Sequence, residues 1–223
     1  LGAGHAEVAL EVFLRRAALA GADDGDRAAV IQSDTAHDGA VLTAEAVAWR
    51  QTGQSAAALG SGNPGMTNIA SQLGRSWGAV VLLGDIAKTI LAWLLGRLLC
   101  PGLALAPLWT GLGAVLGHNF PFWRGFRGGK GVAVTCACLV LFSPLWGGLA
   151  CLGGLAAVLF SGYLPLGAVT IPVLFVPPAF LCYGREAGAL ALILALTMFS
   201  RHVRGLRRML RGEEPRKFRG KQR

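Results

Sequence analysis

The chain has 223 residues, of which 53% are apolar and only 15% charged, with a mean hydropathy of +0.52. Soluble domains carry about 25% charged residues, so these values exclude an ordinary water-soluble globule and point to a protein embedded in a membrane. The net charge of +9 joins two unlike regions, because residues 1–59 sum to −4 and residues 60–223 to +13.

The first region is polar and acidic, with Glu7, Glu11, Asp23, Asp24, Asp26, Asp34, Asp38 and Glu45 against four arginines. It holds no run long enough to cross a bilayer, and no signal peptide is expected from it. Residues 6–20 predict a short amphipathic helix that GADDGD ends, and residues 40–51 predict another. Neither carries a catalytic pattern, and the segment is expected to be loosely held. A boundary is placed between residues 59 and 60.

Residues 60–68, GSGNPGMTN, oppose a helix through Pro64 and three glycines. Gly60 and Gly62 leave the backbone bare, and Ser61, Asn63, Thr67 and Asn68 add neutral hydrogen-bonding groups. Such a turn before a helix suits an anion, phosphate above all.

From residue 75 the chain alternates apolar runs with short polar hinges. Spans are predicted near 77–99, 102–118, 131–143, 145–160, 164–182 and 187–200, which makes an all-α integral membrane protein of about six transmembrane helices. Several runs are shorter than the ~20 residues that cross a ~30 Å hydrocarbon core. Five cysteines (100, 136, 138, 151 and 182) lie in or beside these runs without metal or redox spacing, and are expected to pack as small apolar side chains.

Two further polar stretches interrupt this pattern. GHNFPFWRGFRGGKG, residues 117–131, joins His118, interfacial aromatics (Phe120, Phe122, Trp123, Phe126) and Lys130 preceded by Gly128 and Gly129. Bare backbone beside a flexible ammonium suits phosphate, whereas Arg124 and Arg127 read as charges that anchor the loop on one side of the membrane. SRHVRGLRRMLRGEEPRKF, residues 200–218, holds Arg201, His202 and Arg208 as site candidates and further arginines that suit anionic lipid headgroups. Lipid is the expected partner of this tail, and nucleic acid is not. The positive-inside rule places the tail in the cytoplasm, and six spans counted back bring all three polar stretches to that same face. No Gly-x-Ser-x-Gly elbow, metal-spaced ligand set or carboxylate pair is visible, so neither a metal nor a cofactor is expected.

In this order and separated by these spans, GSGNPGMTN, GHNFPFWRGFRGGKGVAV and RHVRGLRRMLRGEE resemble the three motifs of the bacterial acyl-phosphate:glycerol-3-phosphate acyltransferase family, and Asp85 and Lys88 match a helix signature of it. The resemblance covers residues 60–217. It implies a seven-span enzyme that moves a fatty acyl chain from acyl phosphate to the 1-hydroxyl of glycerol 3-phosphate, giving lysophosphatidic acid and phosphate. The site would lie at the cytoplasmic face of a bacterial inner membrane, in a monomer. Ser61, Lys130 and His202 would be catalytic. Gly60, Gly62, Asn63, Thr67, Asn68, His118, Gly128, Gly129, Arg201 and Arg208 would bind substrate. Four positions depart from the family: Ser71 stands for an arginine, Pro165 and Ala168 for serines, and Gly205 for an asparagine. The span that precedes the family's first motif has no counterpart in residues 1–59. These departures keep a second reading open, a non-catalytic membrane protein that binds phosphate-bearing lipids or conducts an anion.

Overall fold

A computed structural model describes residues 43–216, and every regular element among them is helical. The helix expected at residues 6–20 lies outside the described residues. In chain order the elements are α1 (Thr43–Thr52), a 3₁₀ turn (Ala56–Ala58), α2 (Met66–Leu73), α3 (Arg75–Leu99), α4 (Ala106–Asn119), a 3₁₀ turn (Phe122–Arg124), α5 (Val132–Phe142), α6 (Pro144–Ser161) and α7 (Leu164–Leu210).

Proline and glycine set most of the boundaries. α4, α6 and α7 each start with a proline in the first two helical positions, where the missing N–H has no partner to lose. α7 tolerates Pro172, Pro177 and Pro178 but breaks at Gly184, whose φ of 89° and ψ of −179° no helix accommodates. The break divides α7 into residues 164–183 and 185–210, the counterparts of the last two predicted spans.

Among the described residues three helices, α3, α6 and α7, are long and apolar enough to cross a membrane. Leu83, Leu98, Leu152 and Phe160 on these helices are exposed, as lipid-facing side chains are. At 1.5 Å per residue, α4 rises only ~21 Å and α5 only ~16 Å, well short of a full crossing. These two short helices flank the loop 120–131 and place it at the end of the helix bundle.

Two apolar cores hold the helices. Leu108, Leu112, Val134, Leu139, Ile171, Phe175, Leu190 and Leu194 join α4, α5, α6 and both halves of α7, with Ala150 as the α6 contribution. Ala44, Val47, Ala48, Ala56, Ile69 and Val81 join α1, α2 and α3. The expectation of a loosely held segment before residue 60 therefore fails for its described part. Ala44 and Ala48 are buried, and α1 packs against α3 as well as α2.

Candidate active site

The three polar stretches converge on one cavity of about 880 Å³. Ser61, Asn63, Thr67 and Asn68 reach it from the start of α2, His118 from the end of α4 and Lys130 from the start of α5. His202 comes from beyond the last apolar run of α7, and Glu214 from the segment after it. Chain direction makes the other end apolar. α5 runs away from Lys130 and lines the cavity with Cys136, Val140 and Leu141, and α6 runs back with Cys151, Leu155 and Val158. The space is thus polar at the helix ends and greasy between the helices.

The loop at residues 60–68 is shaped by Asn68. Its Nδ2 donates to the Leu59 carbonyl (2.9 Å) and its Oδ1 accepts from the Ser61 N–H (2.9 Å). Gly60 sits at φ +50°, where a Cβ would lie 2.6 Å from the Asn68 Oδ1, so only glycine fits the turn that this amide closes. Asn68 was expected to bind substrate; instead both ends of its buried amide hold the loop. The Gly62 N–H is likewise spent on the Leu59 carbonyl (2.9 Å). The side chains of Ser61, Asn63 and Thr67 line the cavity beside the start of α2.

The second loop is braced from several directions. Gly128 and Gly129 are buried, and the Gly129 N–H donates to the His118 carbonyl (3.1 Å). A side chain at Gly129 would collide with the His118 imidazole. Arg201 donates through Nη2 to the Gly128 carbonyl (2.7 Å) and through Nε to the Gly129 carbonyl (3.1 Å), while lying over the Phe120 ring. Arg201, expected on substrate, thus holds the backbone that presents Lys130. Arg208 is a correction: it is half-exposed, pairs with Glu214 (2.6 Å) and lines no part of the cavity. Arginine spacing along the helix could not reveal that its partner is a carboxylate on the following turn.

Lys130 lines the cavity with much of its side chain exposed, and its ammonium lies below the usual lysine range. Enclosure by the walls disfavours its charge, the Glu214 carboxylate partly restores it, and Arg208 and Arg201 oppose it. His202 donates from Nδ1 to the Met198 carbonyl (2.9 Å). A carbonyl only accepts, so the proton sits on Nδ1 and Nε2 keeps a lone pair. Burial, followed by the charges of Lys130 and Arg201, holds its pKa below the ordinary histidine value, although the Met198 bond and Glu214 work the other way. In its neutral form His202 thus offers Nε2 as an acceptor.

His118 is fixed by a chain of contacts. The Lys88 ammonium donates to the Asp85 carboxylate (2.7 Å) and to the His118 Nδ1 (2.7 Å), so the one ring proton of His118 sits on Nε2. Features not foreseen include Glu214 in the cavity wall and Arg124 paired with Glu45. Residue type showed neither, because each depends on a partner remote in the chain or past the helix end.

Fold and cavity together define a membrane-embedded helical protein built to take a molecule with an anionic head and an apolar chain. The profile of the family described as "Glycerol-3-phosphate acyltransferase" matches residues 38–212. The chain is 40% identical over 139 residues to "Glycerol-3-phosphate acyltransferase 1" of Lactobacillus johnsonii, covering 62% of this chain and 68% of that one. It is 41% identical over 162 residues to the Thioalkalivibrio sulfidiphilus "Glycerol-3-phosphate acyltransferase", covering 70% and 77%. The crystal structure of PlsY (YgiH), described as an integral membrane glycerol 3-phosphate acyltransferase, superimposes in its glycerol 3-phosphate form with a TM-score of 0.70 at 29% identity, over 80% of this chain and 89% of that one. Its lysophosphatidic acid form gives 0.68 at 28%, over 85% and 95%. This chain belongs to the glycerol-3-phosphate acyltransferase family.

Proposed function

We propose that the protein transfers an acyl group from acyl phosphate to the 1-hydroxyl of glycerol 3-phosphate, at the cytoplasmic face of a bacterial inner membrane. The observation that carries this reading is a cavity with Lys130 and hydroxyl groups at one end and apolar walls along the other. Both substrates bring a phosphate to the polar end, and only one brings a chain to the apolar end. The glycerol oxygen attacks the acyl carbon, the bond from that carbon to the phosphate oxygen breaks, and phosphate departs with the electron pair and takes up the hydroxyl proton. Acyl phosphate is already activated, so holding the two reactants and neutralising the departing charge supplies the catalysis.

Lys130 is the cation placed for a phosphate, with Ser61, Asn63 and Thr67 as neutral partners. His202 accepts a hydrogen bond from the attacking hydroxyl through Nε2 and orients it; its lowered pKa keeps that lone pair free. Asn68, Arg201 and the Asp85–Lys88–His118 chain hold this arrangement in place. Membranes that contain the chain, supplied with glycerol 3-phosphate, are expected to form lysophosphatidic acid from acyl phosphate and not from acyl-CoA. Equal use of acyl-CoA would overturn the donor, and phosphate-dependent binding without product would favour the non-catalytic reading.

A further inference from the structure

Outside the cavity, one carboxylate joins the two loops that form its polar end. Glu45, in the first turn of α1, is 3% exposed. Its oxygens accept from the Ser55 hydroxyl (3.0 Å) and the Ala56 N–H (2.9 Å), and it forms an ion pair with Arg124. Ser55 and Ala56 lead directly into the loop at residues 60–68, whose Asn68 also bonds Leu59. Arg124 ends the 3₁₀ turn just before Gly128, Gly129 and Lys130. Neither Glu45 nor Arg124 lines the cavity.

We infer that Glu45 and Arg124 are positioning residues that set the two substrate-holding loops against each other; the inference rests on the function proposed above. An exposed pair would contribute little. Here the side chains are 4% and 13% exposed, so removing either partner strands the other's charge away from water. α1 has a second anchor besides the pair, because Ala44, Val47 and Ala48 sit in the apolar core with Ile69 and Val81. What the pair adds is a fixed distance between one loop and the other. Without it the loops sample arrangements that bind poorly, and the apparent affinity falls by the fraction that remains competent. Saturating substrate selects the competent arrangement again, so the loss appears in KM and spares kcat.

The test uses the full chain with Glu45→Gln, Arg124→Gln, the double variant and Arg124→Lys, which keeps the charge. KM for glycerol 3-phosphate is expected to rise roughly tenfold in each Gln single variant, equivalent to ~1.4 kcal/mol, with kcat changed less than about twofold. The double variant should be no worse than either single, because both remove one interaction, and Arg124→Lys should recover most of the affinity. Hydrogen exchange without substrate should quicken at residues 55–58, which Glu45 anchors, and at 120–129 together. Additive losses in the double variant, kcat falling in step with the melting temperature, or faster exchange in only one segment would overturn the tie. If the wild-type chain makes no lysophosphatidic acid, the proposed function fails by itself, and the paired exchange response still decides the tie.

Discussion

Residues 59–68 and residues 120–131 both turn the chain at the polar end of the cavity, yet they are held by different means. The first closes on its own side chain: Asn68 bonds Leu59 and Ser61, all within ten residues. The second depends on three other elements. Arg201 of α7 holds the Gly128 and Gly129 carbonyls, the end of α4 takes the Gly129 N–H, and Glu45 of α1 pairs with Arg124. A loop with its own lock forms wherever its sequence does. A loop locked from outside forms only when the helices around it have packed, so its shape reports the whole fold.

The largest effect expected from this contrast is at Lys130, which the second loop presents. Lys130→Met should lower kcat/KM for glycerol 3-phosphate roughly 10- to 150-fold, since a charge-assisted hydrogen bond contributes about 1.5–3 kcal/mol. Steady-state rates measure it, and a loss below threefold would mean that the phosphate lies elsewhere.

Asn68→Ala should come next. It leaves the part-buried Ser61 N–H and Leu59 carbonyl without their partner, at about 0.5–1.5 kcal/mol for each lost hydrogen bond. The melting temperature should fall, and hydrogen exchange should rise at residues 59–68 while residues 120–131 stay protected. Loosening of both loops would break the comparison, because the first lock would not then be local.

The smallest effect concerns pH. His202 must be neutral to accept from the hydroxyl, and burial lowers its pKa. Rates should therefore hold as pH falls to the ordinary histidine value of ~6.5 and decline only below it. In His202→Gln the decline in kcat assigned to this group should disappear, at a lower plateau. A rate that rises on acidification would show that His202 acts as a cation on phosphate, and an unchanged profile would remove it from the chemistry.

The same contrast explains what could be read from the chain alone. Apolar runs bounded by proline and glycine are local signals, so the helices from α3 onward appear where they are expected, down to the break at Gly184. Motif chemistry is also local, and Ser61, Asn63, Thr67, His118, Lys130 and His202 do share a cavity. Partners distant in sequence are not legible in this way. Arg124 read as an anchor on the membrane face, and only the fold brings Glu45 to it. Two of the family departures behave similarly. A Cβ at Gly205 would lie 2.6 Å from the Pro165 Cγ, so the ring at 165 occupies the room that a side chain at 205 would need. The two changes, counted separately along the chain, are one packing event.

The central claim is that the acyl chain lies in this cavity while the head lies at the loops. An acyl phosphate with a diazirine near the middle of its chain, photolysed in membranes that contain the protein, tests it most directly. Peptide mapping should find the adducts on the inner faces of α5 and α6, within residues 132–141 and 151–158, and excess glycerol 3-phosphate should reduce them as the donor is consumed. Adducts spread over the outward-facing leucines of α3 and α6, unaffected by glycerol 3-phosphate, would contradict the account.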